Sequence, residues 1–335
     1  MVAAEQAQPR AACPDGGNAV DDEMRSAAAP RWRGAPGRLE VWYATLSDPV
    51  THAGLWVHCE TVAPTAGAPY AHGWVTLFPP QGPPRTERFG PEPVQPATGT
   101  TWFEAAGALV GPQRLTGRAR SLTWDLSWKD TAAPLWTFPR VAWEREVLPG
   151  AQVVLAPTAD FTGSLTVDGA ELAVDRWRGN VAHIYGHGNA KRWGWIHADL
   201  GDGDVMEAVT AVSHKPGLNR LAPLAFVRFR IDGKDWPASI LPSLRMRTTL
   251  DLQHWQMEGR IGRHAVLIRV DQPMERCVSL QYTDPDGGTC VCTNTEQADV
   301  YVEFGDRRWS VQGTGHAEVG LRGQQAPPVN ERIPS

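Results

Sequence analysis

Residues 178–200 read RGNVAHIYGHGNAKRWGWIHADL, and the two-residue beat of this stretch decides the fold class. His183, Tyr185 and His187 recur at alternate positions, and so do Trp193, Trp195 and His197. Strand side chains alternate between the two faces, so each trio shares a face. The polar, glycine-containing break at 188–192 predicts a hairpin between two strands. Such a pair would present three imidazoles, a phenol and two indoles on one surface. That mixture suits a large, mostly apolar ligand held by a few polar groups.

The same beat continues outward in both directions. RLEVWYATL begins at Arg38, GLWVHCETV at Gly54 puts Trp56, His58 and Glu60 on one face, and HGWVTLF follows at His72. Leu122, Trp124, Leu126 and Trp128 alternate with polar residues, and so does much of the chain after Gly201-Asp202-Gly203-Asp204. The arginines at 228, 230, 245 and 247 alternate on strands and predict a solvated face. No window keeps an apolar period of 3.6 for the ~11 residues of an average helix. The 28 prolines and 33 glycines punctuate the chain too often for long helices. The expectation is an all-β protein of two barrels or sandwiches in tandem. We place an unstructured tail at 1–36, β-domains at 37–200 and 201–325, and a short tail at 326–335.

Composition narrows the function classes. A net charge of −5 without a basic stripe argues against nucleic acid. No apolar run reaches the ~20 residues of a membrane helix, and no secretory leader pattern opens the chain. Five cysteines without framework spacing point to reduced thiols and a cytoplasmic setting. No nucleophile elbow, phosphate loop or dinucleotide fingerprint stands in a supporting strand–helix context, so hydrolase, NTPase and dehydrogenase readings fall away. His183, His187, His197 and His72 offer imidazoles of the kind zinc uses, but in no recognised ligand spacing, so we expect no metal. Fifteen tryptophans against five tyrosines imply thick aromatic cores, a large ligand cavity, or both.

Three short motifs carry a family resemblance. Glu40-Val41-Trp42-Tyr43 resembles the E-W-W-Y opening of the double-lipocalin proteins. That group holds AttH-like proteins, hydroxyneurosporene synthase (a carotenoid hydratase), tocopherol cyclase and lipocalin-type Diels–Alderases. Tyr70-Ala71-His72 resembles the aromatic–x–His segment that follows, and residues 182–200 resemble the H-x-W-G…W-x-W hairpin, with Tyr185 at a Trp position. The acidic residue of the hydratase's Y-x-D-H-N-W-G segment has no counterpart in 180–186, where His183 falls on the histidine. The resemblance implies two lipocalin-like barrels around a hydrophobic small molecule.

From these readings we expect a non-redox enzyme without a cofactor: a cyclase, isomerase or hydratase acting on an isoprenoid or polyketide-like substrate. His183, Tyr185 and His187 are the expected catalytic groups, and Trp42, His72, Trp193, Trp195 and His197 the expected substrate contacts. Orientation and shielding from water would supply most of the rate. The alternatives are a non-catalytic carrier using the same cavity, and a sugar-binding module with exposed tryptophans.

Overall fold

A computed structural model describes residues 16–94, 100–215 and 217–324. The expected tail at 326–335 and the first fifteen residues lie outside the described residues. Ten strands form the first sheet: β1 Arg38–Ser47, β2 Gly54–Ala63, β3 Tyr70–Phe78, β4 Arg85–Pro93, β5 Phe103–Ala105, β6 Ala108–Gly111, β7 Arg114–Arg118, β8 Leu122–Lys129, β9 Gly150–Val167 and β10 Ala170–Gly186. The order is β4-β3-β2-β1-β10-β9-β8-β7-β6-β5, all antiparallel along the hydrogen-bonded path. The two ends approach each other, and the Ala106 N–H donates to Glu92 Oε2 across them at 2.9 Å. The sheet is therefore a nearly closed barrel, which hides its edges.

The second sheet holds β11 Arg192–Gly201, β12 Asp204–Val212, β13 Leu224–Ile231, β14 Lys234–Trp236, β15 Arg247–Leu250, β16 His254–Ile261, β17 His264–Asp271, β18 Val278–Thr283, β19 Thr289–Phe304 and β20 Arg307–Arg322. It repeats the plan of the first: the opening strand pairs with its successor and with the last strand, β1 with β2 and β10, β11 with β12 and β20. The changeover between sheets falls at residues 187–191. β10 and β11 thus belong to different sheets and do not form the expected hairpin, and the expected boundary at Gly201 lies inside the second sheet. A polar, glycine-containing break lets the chain cross between sheets as readily as it turns back.

Interior packing follows from alternation. Along β8 the burial pattern is strictly alternate, with Leu122, Trp124, Leu126 and Trp128 inside the barrel. β1 and β2, by contrast, are buried on both faces over nearly their whole length. One face, with Trp42, Ala44, Leu46, Leu55, Val57 and Cys59, joins the barrel core. The other, with Leu39, Val41, Tyr43 and Trp56, packs against Trp193, Trp195, Val209 and Phe226 of the second sheet. Small residues permit the close pairings: a Cβ on Gly179 would sit 1.8 Å from the Thr45 carbonyl oxygen.

The expected tail is in part structured. Helix α1 (Gly16–Ala28) packs Met24, Ala27 and Ala28 onto the barrel core. The Ala28 carbonyl accepts from Trp42 Nε1 at 3.1 Å. A strap between β8 and β9 carries α2 (Arg140–Arg145) and crosses to the second sheet. There Arg228 donates to the Trp136 carbonyl at 2.8 Å and Arg230 to the Ala133 carbonyl at 2.6 Å. These two arginines therefore serve the junction between sheets and not the expected solvated face, whereas Arg247 is exposed beside Glu258. Among the described residues no helix is long and apolar enough to cross a membrane, and Cys59, Cys277, Cys290 and Cys292 are free thiols.

Candidate active site

A cavity of about 340 Å³ lies between the two sheets. The outer face of the first sheet supplies Leu39, Val41, Tyr43 and Ile184, and the second sheet supplies Trp193, Trp195, Val209, Ala211 and Phe226. The strap closes one side with Phe138, Leu148 and Pro149, and Phe138 lies 4.6 Å from the Phe226 ring. Into this apolar enclosure project a few polar groups: His58, Glu60, Gln152, Tyr282 and Glu318.

His58 and Glu60 stand two residues apart on β2 and so share its cavity-facing side. His58 Nε2–H donates to Glu60 Oε2 at 3.2 Å. Its imidazole is boxed by Trp56, Trp74 and Tyr282 at 5.0, 5.5 and 5.5 Å between ring centroids. Among the described residues Nδ1 has no hydrogen-bond partner. Burial alone would raise the Glu60 carboxyl above its ordinary range. The nearby imidazoles of His72 and His58, together with Arg88, overcome that cost and hold it below. His72 Nε2 lies 3.7 Å from Glu60 Oε2, and burial drives the His72 imidazole down to about 4 against the opposing pull of Glu60. At neutral pH the site therefore contains an ionised carboxylate that orients His58 and a neutral His72 behind it. Such a pair can carry a proton to or from a bound ligand.

The opposite wall holds a second acid. Glu318 accepts from Trp193 Nε1 at 2.6 Å and from Cys292 Sγ at 3.2 Å. Next to it, Trp195 Nε1 donates to Glu207 Oε1 at 2.6 Å, and His197 Nδ1–H donates to Glu207 Oε2 at 2.8 Å. Deeper between the sheets Glu296 is fully buried, neither carboxyl oxygen accepts a hydrogen bond among the described residues, and His316 Nε2 lies 3.6 Å from Oε2. Burial, reinforced by the charge of Glu318, raises it well above the carboxylate range, so it stays a neutral acid.

The residues expected from the sequence divide by the face they occupy. Trp193 and Trp195 line the cavity. His183, Tyr185 and His187, the expected catalytic groups, do not. On β10 it is Ile184 that faces the cavity, while His183 pairs with Trp42 of β1 and points into the barrel. There His183 is wholly buried. Nδ1–H donates to the Ala27 carbonyl at 2.7 Å, Nε2 meets Glu40 Oε1 at 2.9 Å, and the ring stacks on Trp42 at 4.5 Å. Glu40 in turn accepts the backbone N–H groups of Arg31 and Trp32. The cluster fastens the segment after α1 to the barrel, and both nitrogens of the imidazole are occupied. Tyr185 lies in the same core under the Arg31 guanidinium. His187 is 42 % exposed at the mouth beside Arg38 and Glu146, and its imidazole is shifted down by burial and by Arg38.

Among the expected substrate contacts, Trp42 belongs to the barrel core, His72 stands behind Glu60, and His197 is turned to Glu207 with its ring 5.9 Å from that of His316. The imidazoles thus fall into separate clusters. His58 and Glu60 were visible in the sequence as a same-face pair beside Trp56. The pattern is generic, and only the second sheet lying over that face makes it a site.

Comparison with known proteins agrees with this architecture. A family model described as tocopherol cyclase-like matches residues 36–321. Two uncharacterized proteins of Mycobacterium tuberculosis, from strains CDC 1551 and H37Rv, are each 77 % identical over 322 residues, covering 96 % of this chain and 98 % of theirs. Among solved structures, kievitone hydratase of Nectria haematococca is similar with a TM-score of 0.58 and 13 % identity, covering 88 % of this chain and 91 % of that one. An AttH protein of Nitrosomonas europaea is similar with a TM-score of 0.57 and 14 % identity, covering 84 % and 92 %. At such identities the likeness is one of fold.

Proposed function

Because the chain belongs to the tocopherol cyclase-like family, we propose that it is an enzyme for proton-initiated, non-redox chemistry on a hydrophobic isoprenoid or polyketide-like molecule. The reaction would be a cyclisation, isomerisation or hydration. The observation that carries this reading is the His58–Glu60 pair opening on a mostly apolar, aromatic cavity. A carrier needs the cavity but has no use for an oriented imidazole with a free nitrogen.

In this reading His58, carrying a proton on Nδ1 and paired through Nε2 with the Glu60 carboxylate, gives that proton to a carbon of a substrate double bond. The cation that develops is captured by a hydroxyl of the same molecule in a cyclisation, or by water in a hydration. The capturing oxygen then returns its proton to His58 Nδ1, and Glu60 stabilises the imidazolium so regenerated. Glu318, on the facing wall, is the second group able to exchange a proton with the ligand. Trp193 and Trp195 line the cavity with indole rings, which attract a developing cation over their faces, and their N–H groups are taken up by Glu318 and Glu207. Closure by the strap keeps bulk water from quenching the cation.

The test is incubation in deuterated water with the apolar compound that co-purifies with the protein, or with a panel of unsaturated prenylated phenols. The product should be an isomer or hydrate carrying one solvent deuterium on carbon. His58→Gln should slow its formation by about 10²–10⁴-fold, the usual worth of a positioned acid or base. Unchanged compound with no deuterium, from wild type and variant alike, would make the protein a carrier.

A further inference from the structure

The cavity mouth has a composition that the chemistry inside it does not require. Val147 and Leu224 both line the cavity, yet they are 60 % and 46 % exposed. Leu221, three residues before Leu224, is 58 % exposed. Exposed apolar side chains scattered singly are ordinary. Here they stand on two segments that meet at one opening, the strap before β9 and the connection from β12 to β13, and each continues into the apolar lining.

The charge around the same opening is positive. Lys215 lines the mouth, Arg220 is exposed beside Leu221, and Lys191 Nζ donates to the Asn219 carbonyl at 3.4 Å. Among the described residues none of these three cations forms an ion pair. Residues 208–231 contain no Asp or Glu, in a protein of net charge −5. Of the acids nearby, Asp284 and Asp286 pair with Arg322 and Glu146 pairs with Arg38 and Arg31, while the exposed Glu144 stands next to the exposed Arg145.

We propose that this mouth docks on an anionic lipid bilayer, from which the cavity draws its apolar ligand. The inference rests on reading the cavity as a site for such a ligand. Basic side chains near an anionic surface attract it, and apolar side chains enter the headgroup boundary. With Val147, Leu221 and Leu224 in that boundary, a lipid-soluble molecule passes from acyl chains to the cavity without crossing water. The fold then needs no membrane-spanning element to reach a membrane-dissolved substrate.

Co-sedimentation of the full-length protein with vesicles tests this, using phosphatidylcholine alone and phosphatidylcholine with a third phosphatidylglycerol. Binding should require the anionic lipid and weaken as salt is added, because surface attraction is screened beyond roughly 10 Å at 0.1 M. Leu221→Glu with Leu224→Glu should lower the partition coefficient at least about tenfold, and Lys191→Glu with Arg220→Glu by a similar factor. Val50→Glu, at a still more exposed valine in the β1–β2 turn, should leave binding unchanged. All three variants should melt with the wild type, since the replaced side chains are at the surface.

Absence of binding to anionic vesicles at low salt overturns the docking surface, and so does equal weakening by Val50→Glu. A protein that retains an apolar ligand but ignores vesicles removes the docking surface and leaves the proposed function standing. Vesicle binding by a protein that turns over no apolar compound does the reverse.

Discussion

Two imidazole–carboxylate pairs sit on neighbouring strands of the first barrel, His183 with Glu40 and His58 with Glu60, and they do different work. His183 and Glu40 point inward, where every polar atom of the pair finds a protein partner: a helix carbonyl, two backbone N–H groups and each other. His58 and Glu60 point outward to the second sheet, and one imidazole nitrogen is left for a ligand. Composition and burial are nearly the same in the two places. What separates a structural clasp from the proposed reactive site here is the face of the strand, and with it the number of unclaimed valences.

The comparison is sharpest when each pair is broken in turn. His58→Gln should cost about 10²–10⁴-fold in turnover while leaving the melting temperature close to that of the wild type. Glu40→Ala should do the opposite. It removes the partner of a buried imidazole and of two N–H donors, for about 3 kcal/mol of stability, or roughly 4 °C in a chain of 335 residues. Turnover per folded molecule should change little. Thermal melts and initial rates on both variants give the answer, and equal losses of activity per folded molecule would erase the distinction.

Acid and base should separate the two regions next. His72, behind Glu60, is held neutral to about pH 4 in the folded protein, whereas an unfolded histidine protonates near 6.5. Between those values the unfolded chain binds the extra proton, so stability falls as pH drops from about 6.5 toward 4. The slope is about 1.4 kcal/mol per pH unit for one imidazole. His72→Gln should remove that slope from urea titrations, leaving what the likewise depressed His316 and His187 contribute. Glu296 acts with the opposite sign. Its carboxyl is raised in the fold, so the unfolded chain releases a proton that the folded one keeps, and stability falls as pH rises above the ordinary carboxylate range. Glu296→Gln should therefore stabilise the protein more at pH 8 than at pH 5. A gain that is the same at both would contradict a neutral buried acid.

The smallest effect is expected at the cavity wall. Trp193→Phe keeps the apolar surface but loses the hydrogen bond to Glu318, a contribution of about 1 kcal/mol to stability. Urea titration of the variant beside the wild type would measure it.

Much of the fold was legible in the sequence because alternation is local. Leu122, Trp124, Leu126 and Trp128 announce a strand with one side buried, and the shared face of His183 and Tyr185 is real. Alternation does not say which side a ligand approaches, and in β1, β2 and β10 both sides are buried, one by the barrel and one by the second sheet. That is why His183, the conspicuous residue, falls in the core, and why His58 and Glu60, a same-face pair of generic pattern, border the cavity. Helix α1 was missed for a related reason. Few apolar residues mark it, and it is held by carbonyls that reach Trp42 and His183, contacts that join residues 14 and 156 positions apart. The break at 187–191 reads equally as a turn or as a crossing, and only the pairing of β11 with β20 decides between them.

Filling the cavity tests the central claim most directly. Ala211 lines it from the second sheet, and Ala211→Trp would occupy the space a ligand needs without touching the barrel core. Native mass spectrometry of the wild type under gentle conditions should show the protein with an apolar small molecule bound. The Ala211→Trp variant, folded and equally stable, should fly without it. Retention of the same molecule by the filled variant, or a wild type that carries only a metal ion, would contradict the account.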